Sequence, residues 1–362
     1  MRPTLPSPRP PGRGARRMRG LSLVELMVAM VLGLFLIGGV LSVFVSTRQA
    51  NRSTDGLSRL QENARIAFEM MARELRAAGG AGCGSSSRVA NVVNLSDANT
   101  WWWADWVNNR LRGYESSQVF PGRTMGTGVT QRVAGTDAIV SMSGGGGGES
   151  ATIMSHAREA GEFRLNTTQH GFVTGDILLV CGNPAQGGTD DPYSSGHDAP
   201  SVQLVSILQA TAVNGDTVAT TTSGGTPGNC TQFLNPYIGC ASVSKQGMAI
   251  EGGGIMSRLS SAGWYVGYNP AGGRSLYRVG PGLAGILEPP EEVADGVTDM
   301  QVQYLTGTEV QPGSDYVDAT AVSNWDNVFA VRIVLTLESR DGSGQSLQRT
   351  LAHTVALRNR LP

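Results

Sequence analysis

An α+β fold, with one long N-terminal helix packed on an antiparallel β-rich domain, is predicted by three features of this 362-residue chain. A run of twenty uncharged residues, Leu26 to Val45, leads without a break into an amphipathic stretch that stops at Gly79-Gly80. From Cys83 onward the texture changes to Gly, Ser, Thr and Asn with short apolar runs, the pattern of strands joined by long loops. Towards the C-terminus apolar residues recur with period two, as along half-buried strands.

The first twenty residues hold six arginines, five prolines and no acid, so they read as a basic leader that stays cytoplasmic by the positive-inside rule. Without them, 22 basic side chains face 29 acidic ones, and this acidic remainder argues against nucleic acid as a partner. Leu26 to Val45 is long enough for one helical pass through a hydrocarbon core of about 30 Å. It exceeds the 7–15 apolar residues of a cleavable secretory signal. Leu57, Leu60, Ala64, Ala67, Phe68, Met71, Leu75 and Ala78 then recur at steps of three and four, one face of a helix whose other face is charged. The organisation expected is a leader at 1–20, a helix at 21–80 (transmembrane 21–45, amphipathic 46–80) and an extracytoplasmic head at 81–362.

In the head, "NVFAVRIVLTLES" places Phe329, Val331, Ile333, Leu335 and Leu337 on one face. "TDMQVQYL" and "LQRTLAHTVALRN" supply neighbours, so an antiparallel meander is expected at the end of the chain, covered by the apolar helix face. Further strands are expected at Asp137–Met142, Asp176–Cys181 and Val202–Gln209. Gly144–Gly148 and Gly187–Pro200 read as surface loops. The tryptophans of "WWWADW", Trp101 to Trp106, are expected to pack rather than to form an exposed adhesive surface.

No motif for catalysis stands out. The five-glycine run is not followed by G-K-[ST], and there is no G-x-S-x-G elbow. His156, His170, His197 and His353 have no metal-ligand spacing and read as solvated or loop residues. Asp190, Asp191 and Asp198 lack the order of a calcium loop. No catalytic residue, metal or cofactor is expected, and the protein is read as not an enzyme. Cys83, Cys181, Cys230 and Cys240 form no C-x-x-C pair, and in an extracytoplasmic head they read as disulfides. The short segment "CTQFLNPYIGC" makes a Cys230–Cys240 bridge feasible, with Cys83–Cys181 as the second. Four cysteines allow three connectivities, which remain open.

One residue is out of place. Glu25 stands at the edge of the apolar run, where an acidic side chain is costly and asks for a compensating partner. "RG|LSLVELM" joins a basic leader, a glycine, a Ser-Leu-Val-Glu start and an apolar helix, and it resembles the prepilin motif cut after Gly20 by a prepilin peptidase. "LQENARIAFEMMARELRAAGGAGC", "DGVTDMQVQYL", "VFAVRIVLTLESR" and "TVALRNRLP" extend the likeness, which is to PilW-type minor pilins of type IV pili. Leu21 departs from the phenylalanine of many pilins.

The resemblance implies a pilin-like fold, cleavage between Gly20 and Leu21, N-methylation of Leu21, and pairing of Glu25 with the N-terminal amine of a neighbouring subunit. It also implies other minor and major pilins, the prepilin peptidase and the inner membrane as partners. The protein would be a single-pass inner-membrane protein with a periplasmic C-terminal domain, entering the pilus to prime or cap it. A minor pseudopilin of a type II secretion system, or a membrane-anchored periplasmic enzyme or binding protein, are the other readings of the same architecture.

Overall fold

The computed structural model describes residues 22–82, 89–96, 101–145, 149–183, 204–235, 239–242, 247–308, 311–340 and 346–357. The chain divides into two units between Asp55 and Gly56, and one helix, α1 (Leu23–Ala77), runs through the junction. In the first unit α1 is apolar and uncovered, with Leu34 75% and Phe35 77% exposed, and by length and composition it is able to cross a membrane.

In the second unit the rest of α1 buries Leu60, Ala64, Ala67, Met71, Ala72 and Leu75, and Ala78 just past its end is buried with them. These are six of the eight residues picked out by periodicity, with Ala72 in addition. Leu57 and Phe68 lie at the margin of the stripe and are half-buried. The helix stops at Gly79, whose φ of 76° is open to a residue without Cβ. There the Gly79 amide donates to Met142 O (2.8 Å) and the Gly144 amide to Gly80 O (2.7 Å), which fastens the helix end to a strand.

That apolar stripe packs on a four-stranded antiparallel sheet. Its strands are β13 (Val297–Gly307), β14 (Pro312–Val317), β15 (Val328–Arg340) and β16 (Ser346–Ala356), in the order β14-β13-β15-β16. The expected meander is therefore present, with β14 as an added edge. Val331, Ile333, Leu335 and Leu337 from β15 join the helix residues in one core. Ala330, on the opposite face by alternation, is also buried.

The remaining strands form a twelve-stranded sheet: β1 (Val89–Asn91), β2 (Leu111–Tyr114), β3 (Ala138–Gly144), β4 (Ser150–Ala157), β5 (Glu162–Leu165), β6 (Ile177–Gly182), β7 (Leu204–Gln209), β8 (Ala212–Asn214), β9 (Thr217–Ala219), β10 (Ile255–Tyr268), β11 (Arg274–Val279) and β12 (Glu291–Asp295). β10 organises it. Its first residues pair with β4 and β6, and its later ones with β3 and β11. Alternation then gives β10 two apolar faces. Ala262, Trp264 and Val266 join the core under α1, whereas Leu259 and Tyr265 join a second core built on Trp102, Trp103, Trp106 and Phe120. Those three tryptophans are buried, so the cluster packs as expected.

The histidine expectation holds for the loop position of His170 and fails for His156 and His353. His156 lies on β4, half-buried, with its ring stacked on Phe163 at 4.0 Å between centroids. His170 does sit in a loop but is only 5% exposed, and His353 lies on β16 against Phe68. An imidazole is apolar on its faces, so it packs on aromatic rings wherever strand alternation turns it inward. His197, the three aspartates near it and the Gly187–Pro200 loop lie outside the described residues, as do Gly146 to Gly148. Among the described residues no group of His, Cys, Asp and Glu is placed to hold a metal ion.

Candidate assembly site

The first turn of α1 is where the chain places its least expected charge. Ser22 precedes the helix, and its carbonyl accepts the first helical bond, from the Leu26 amide (3.2 Å). The Glu25 amide donates to Ser22 Oγ (3.2 Å), while the Ser22 amide and hydroxyl donate to Glu25 Oε2 (3.2 and 3.3 Å). This is a reciprocal capping box, which satisfies two amides that an unpaired helix start would leave open. The carboxylate also lies at the positive end of the helix dipole.

Glu25 is thus held at the N-terminal end of its own helix before any partner arrives. Its Oε1 accepts no hydrogen bond among the described residues and faces solvent. A cation brought to this end by another chain would meet a pre-oriented carboxylate. The box was legible as Ser-x-x-Glu before an apolar run, a signal that the reading of Glu25 as an intermolecular partner left unused. Gly20 and Leu21 lie outside the described residues.

A second carboxylate on α1 holds the helix to the head. Glu74 accepts from Trp264 Nε1 (2.7 Å) and from Arg278 Nε (2.8 Å), so β10 and β11 both clamp it. Neither contact has a sequence signal, because the partners lie 190 and 204 residues away.

Asp137, next to β3, ties the two sheets together through β13. Its amide donates to Met300 O (2.8 Å) and its Oδ2 accepts from the Val302 amide (2.9 Å), while Oδ1 is buried without a partner. Burial pushes this carboxyl up to about 7, against a smaller lowering by the Val302 bond. Arg132, also fully buried, donates to the carbonyls of Gln118, Tyr114, Glu115 and Thr136. Desolvation pulls its guanidinium down to about 10.

Cys230 and Cys240 are joined, with Cα atoms 5.4 Å apart. Cys181 is disulfide-bonded as well, and Cys83 lies outside the described residues. The Cys230 amide donates to Val92 O (2.9 Å), so the closed loop is stitched beside β1. Replacing both Cys230 and Cys240 by serine is expected to cost about 2–3 kcal/mol, the chain entropy of a loop of this length. Thermal unfolding should fall by several degrees, and a non-reducing peptide map of the wild type should link these two cysteines. A map that linked Cys83 to either of them would refute the assignment.

An apolar helix long enough to cross a membrane, opening in a capped acidic turn, with a β-rich C-terminal region following it in the chain, is the layout of pilin-like proteins, and comparison with known families agrees with it at two places. Residues 15–41 match the model of the prokaryotic N-terminal methylation motif. Residues 263–359, from the middle of β10 through β16, match the family model of Type IV Pilus-assembly protein W. The C-terminal match is to the PilW family and the N-terminal one to the general methylation motif; together they are consistent with a PilW-type minor pilin and support a pilin-like role in type IV pilus assembly. Other pilins are its partners, and the apolar helix anchors it to a membrane. No curated protein and no solved structure matches the chain.

Proposed function

We propose that this chain is a minor pilin that primes or caps a type IV fibre, working as a structural subunit and not as a catalyst. The observation that supports this best is Glu25, pre-oriented on the first turn of an exposed apolar helix. In this reading the leader is removed after Gly20 by the prepilin peptidase, and Leu21 carries the freed and N-methylated amine. Glu25 of one subunit pairs with the corresponding amine of the next. Such a pair forms only in register, so the cost of placing a carboxylate in lipid becomes a source of assembly specificity. The helix sits in the inner membrane with the head in the periplasm.

The size of the head favours an end position. In a shaft built by repeating one heterologous contact, every head must pack against the heads around it. Most of the chain's 362 residues lie beyond the helix, and that bulk is accommodated best where one side is free.

The test is the mass of the mature N-terminus. The protein is expected to begin at Leu21, and Gly20→Val is expected to retain the full leader, because the bulky side chain blocks the cleavage position. An intact leader on the wild-type protein, in cells that hold the peptidase, would overturn this function in favour of an uncleaved anchor.

A further inference from the structure

The outer strand of the C-terminal sheet differs from every other edge among the described residues. A sheet edge presents unpaired amides and carbonyls, which proteins usually protect by shortness, proline, charge or a bulge. β1 and β8 have three residues each and β2 has four. β12 carries Glu291, Glu292 and Asp295, and its pairing with β11 is interrupted by a register shift. β14 opens on Pro312, bears Asp315 and is also shifted against its neighbour. β16 is neither short nor broken by proline or a bulge. It runs eleven residues in unbroken register with β15, without proline or acid, and its one charge is Arg349.

Register also tells which groups are free. The Leu357 amide donates to Phe329 O (2.8 Å), one step beyond the Ala356–Ala330 pair, so this is a hydrogen-bonded position. Bonded and non-bonded positions alternate along an antiparallel ladder. Leu347, Arg349, Leu351, His353 and Val355 therefore face β15 with their backbone groups. Gln348, Thr350, Ala352 and Thr354 turn theirs outward. On the face shared with α1, Leu347 and His353 are half-buried while Leu351 and Arg349 are exposed, so this side of the edge is an incompletely covered apolar row interrupted by one cation.

We infer that β16 is a docking strand, to which a neighbouring pilin subunit of a different kind adds an extended segment as a fifth strand of this sheet. The unpaired row of amides and carbonyls calls for an extended backbone, and the half-covered leucines call for apolar side chains at alternate positions. Arg349 calls for an acidic residue on the incoming strand. A second copy of this chain fits less well, since its own β16 brings another Arg349 and no acid. The inference rests on the pilin function proposed above and names the surface through which it acts.

Amide hydrogen exchange of the full-length protein tests it, measured alone in detergent and in the complex formed on co-expression with the other pilins of its assembly. The amides of Gln348, Thr350, Ala352 and Thr354 are expected to slow by roughly a hundredfold or more in the complex, while their odd-numbered neighbours are protected in both states. Ala352→Pro removes an outward amide and leaves the β15 ladder intact, and it is expected to lower recovery of the complex about tenfold. A complex that forms with the four β16 amides still exchanging freely would overturn the docking strand and leave the pilin function standing. Absence of any complex would overturn both. A Thr350→Cys cross-link to a second copy of this chain would overturn the choice of partner.

Discussion

Glu25→Ala is expected to leave the protein in the membrane and keep it out of the fibre. Removing the carboxylate takes an unfavourable group away from the lipid boundary, so insertion should be unchanged or improved. Leader removal should continue, since Gly20 and Leu21 are untouched. The helix loses the half of its capping box that Glu25 supplies, at a cost of about 1 kcal/mol, too little to unfold a helix whose other half is packed in the head. What disappears is the carboxylate that meets a neighbour's amine. Sheared fibres or co-purified pilin complexes should then contain at least about tenfold less of the variant, as expected when one partner of a desolvated charge pair is removed. Glu25→Gln separates the two roles, because it keeps an acceptor for the Ser22 amide and lacks the charge. It should retain the cap and still fail to assemble. Incorporation of Glu25→Ala at the wild-type level would show that the capping box is the residue's whole purpose.

Asp137→Asn is expected to change how stability depends on pH. In the folded head this carboxyl holds its proton up to about pH 7, whereas its ordinary value is 3.8. Between those limits the folded state binds a proton that the unfolded state has released, so this residue's contribution falls as pH rises through the window. The loss is on the order of 2–4 kcal/mol by pH 8. His156 acts in the opposite sense. Burial pulls its imidazole down to about 4 from 6.5, so between those values the unfolded state binds the extra proton and stability rises with pH. The two slopes oppose each other below pH 6.5, and a flat wild-type profile there would be no evidence against either.

The asparagine variant separates them. Its side-chain oxygen can accept from the Val302 amide, and it carries no charge to bury. Relative to wild type it should gain stability progressively from pH 4 to 7 and then level off, and its own profile should show the His156 rise. Urea unfolding at several pH values measures this. A difference between variant and wild type that stays constant with pH would mean that Asp137 does not titrate in this range.

Much of the fold was legible from local pattern. The three-four spacing from Leu60 to Ala78 determined which side of α1 is buried, because a helix turns through a fixed angle per residue whatever lies beside it. The two-residue alternation from Val331 to Leu337 likewise determined the inner face of β15. Glu25 was visible as a charge against an apolar run, and so was its cap, since Ser22 and Glu25 are three residues apart. The tertiary structure alone decided what meets across long separations. Trp264 and Arg278 reach Glu74, Asp137 binds the backbone of β13, and His156 stacks on Phe163. It also decided that β16 is an edge. The β15 and β16 sequences read alike as half-buried strands, and only the sheet order gives one of them two neighbours and the other one. Periodicity specifies a face because it follows from the geometry of a single element. A neighbour depends on how elements hundreds of residues apart are arranged in space, and no local period carries that.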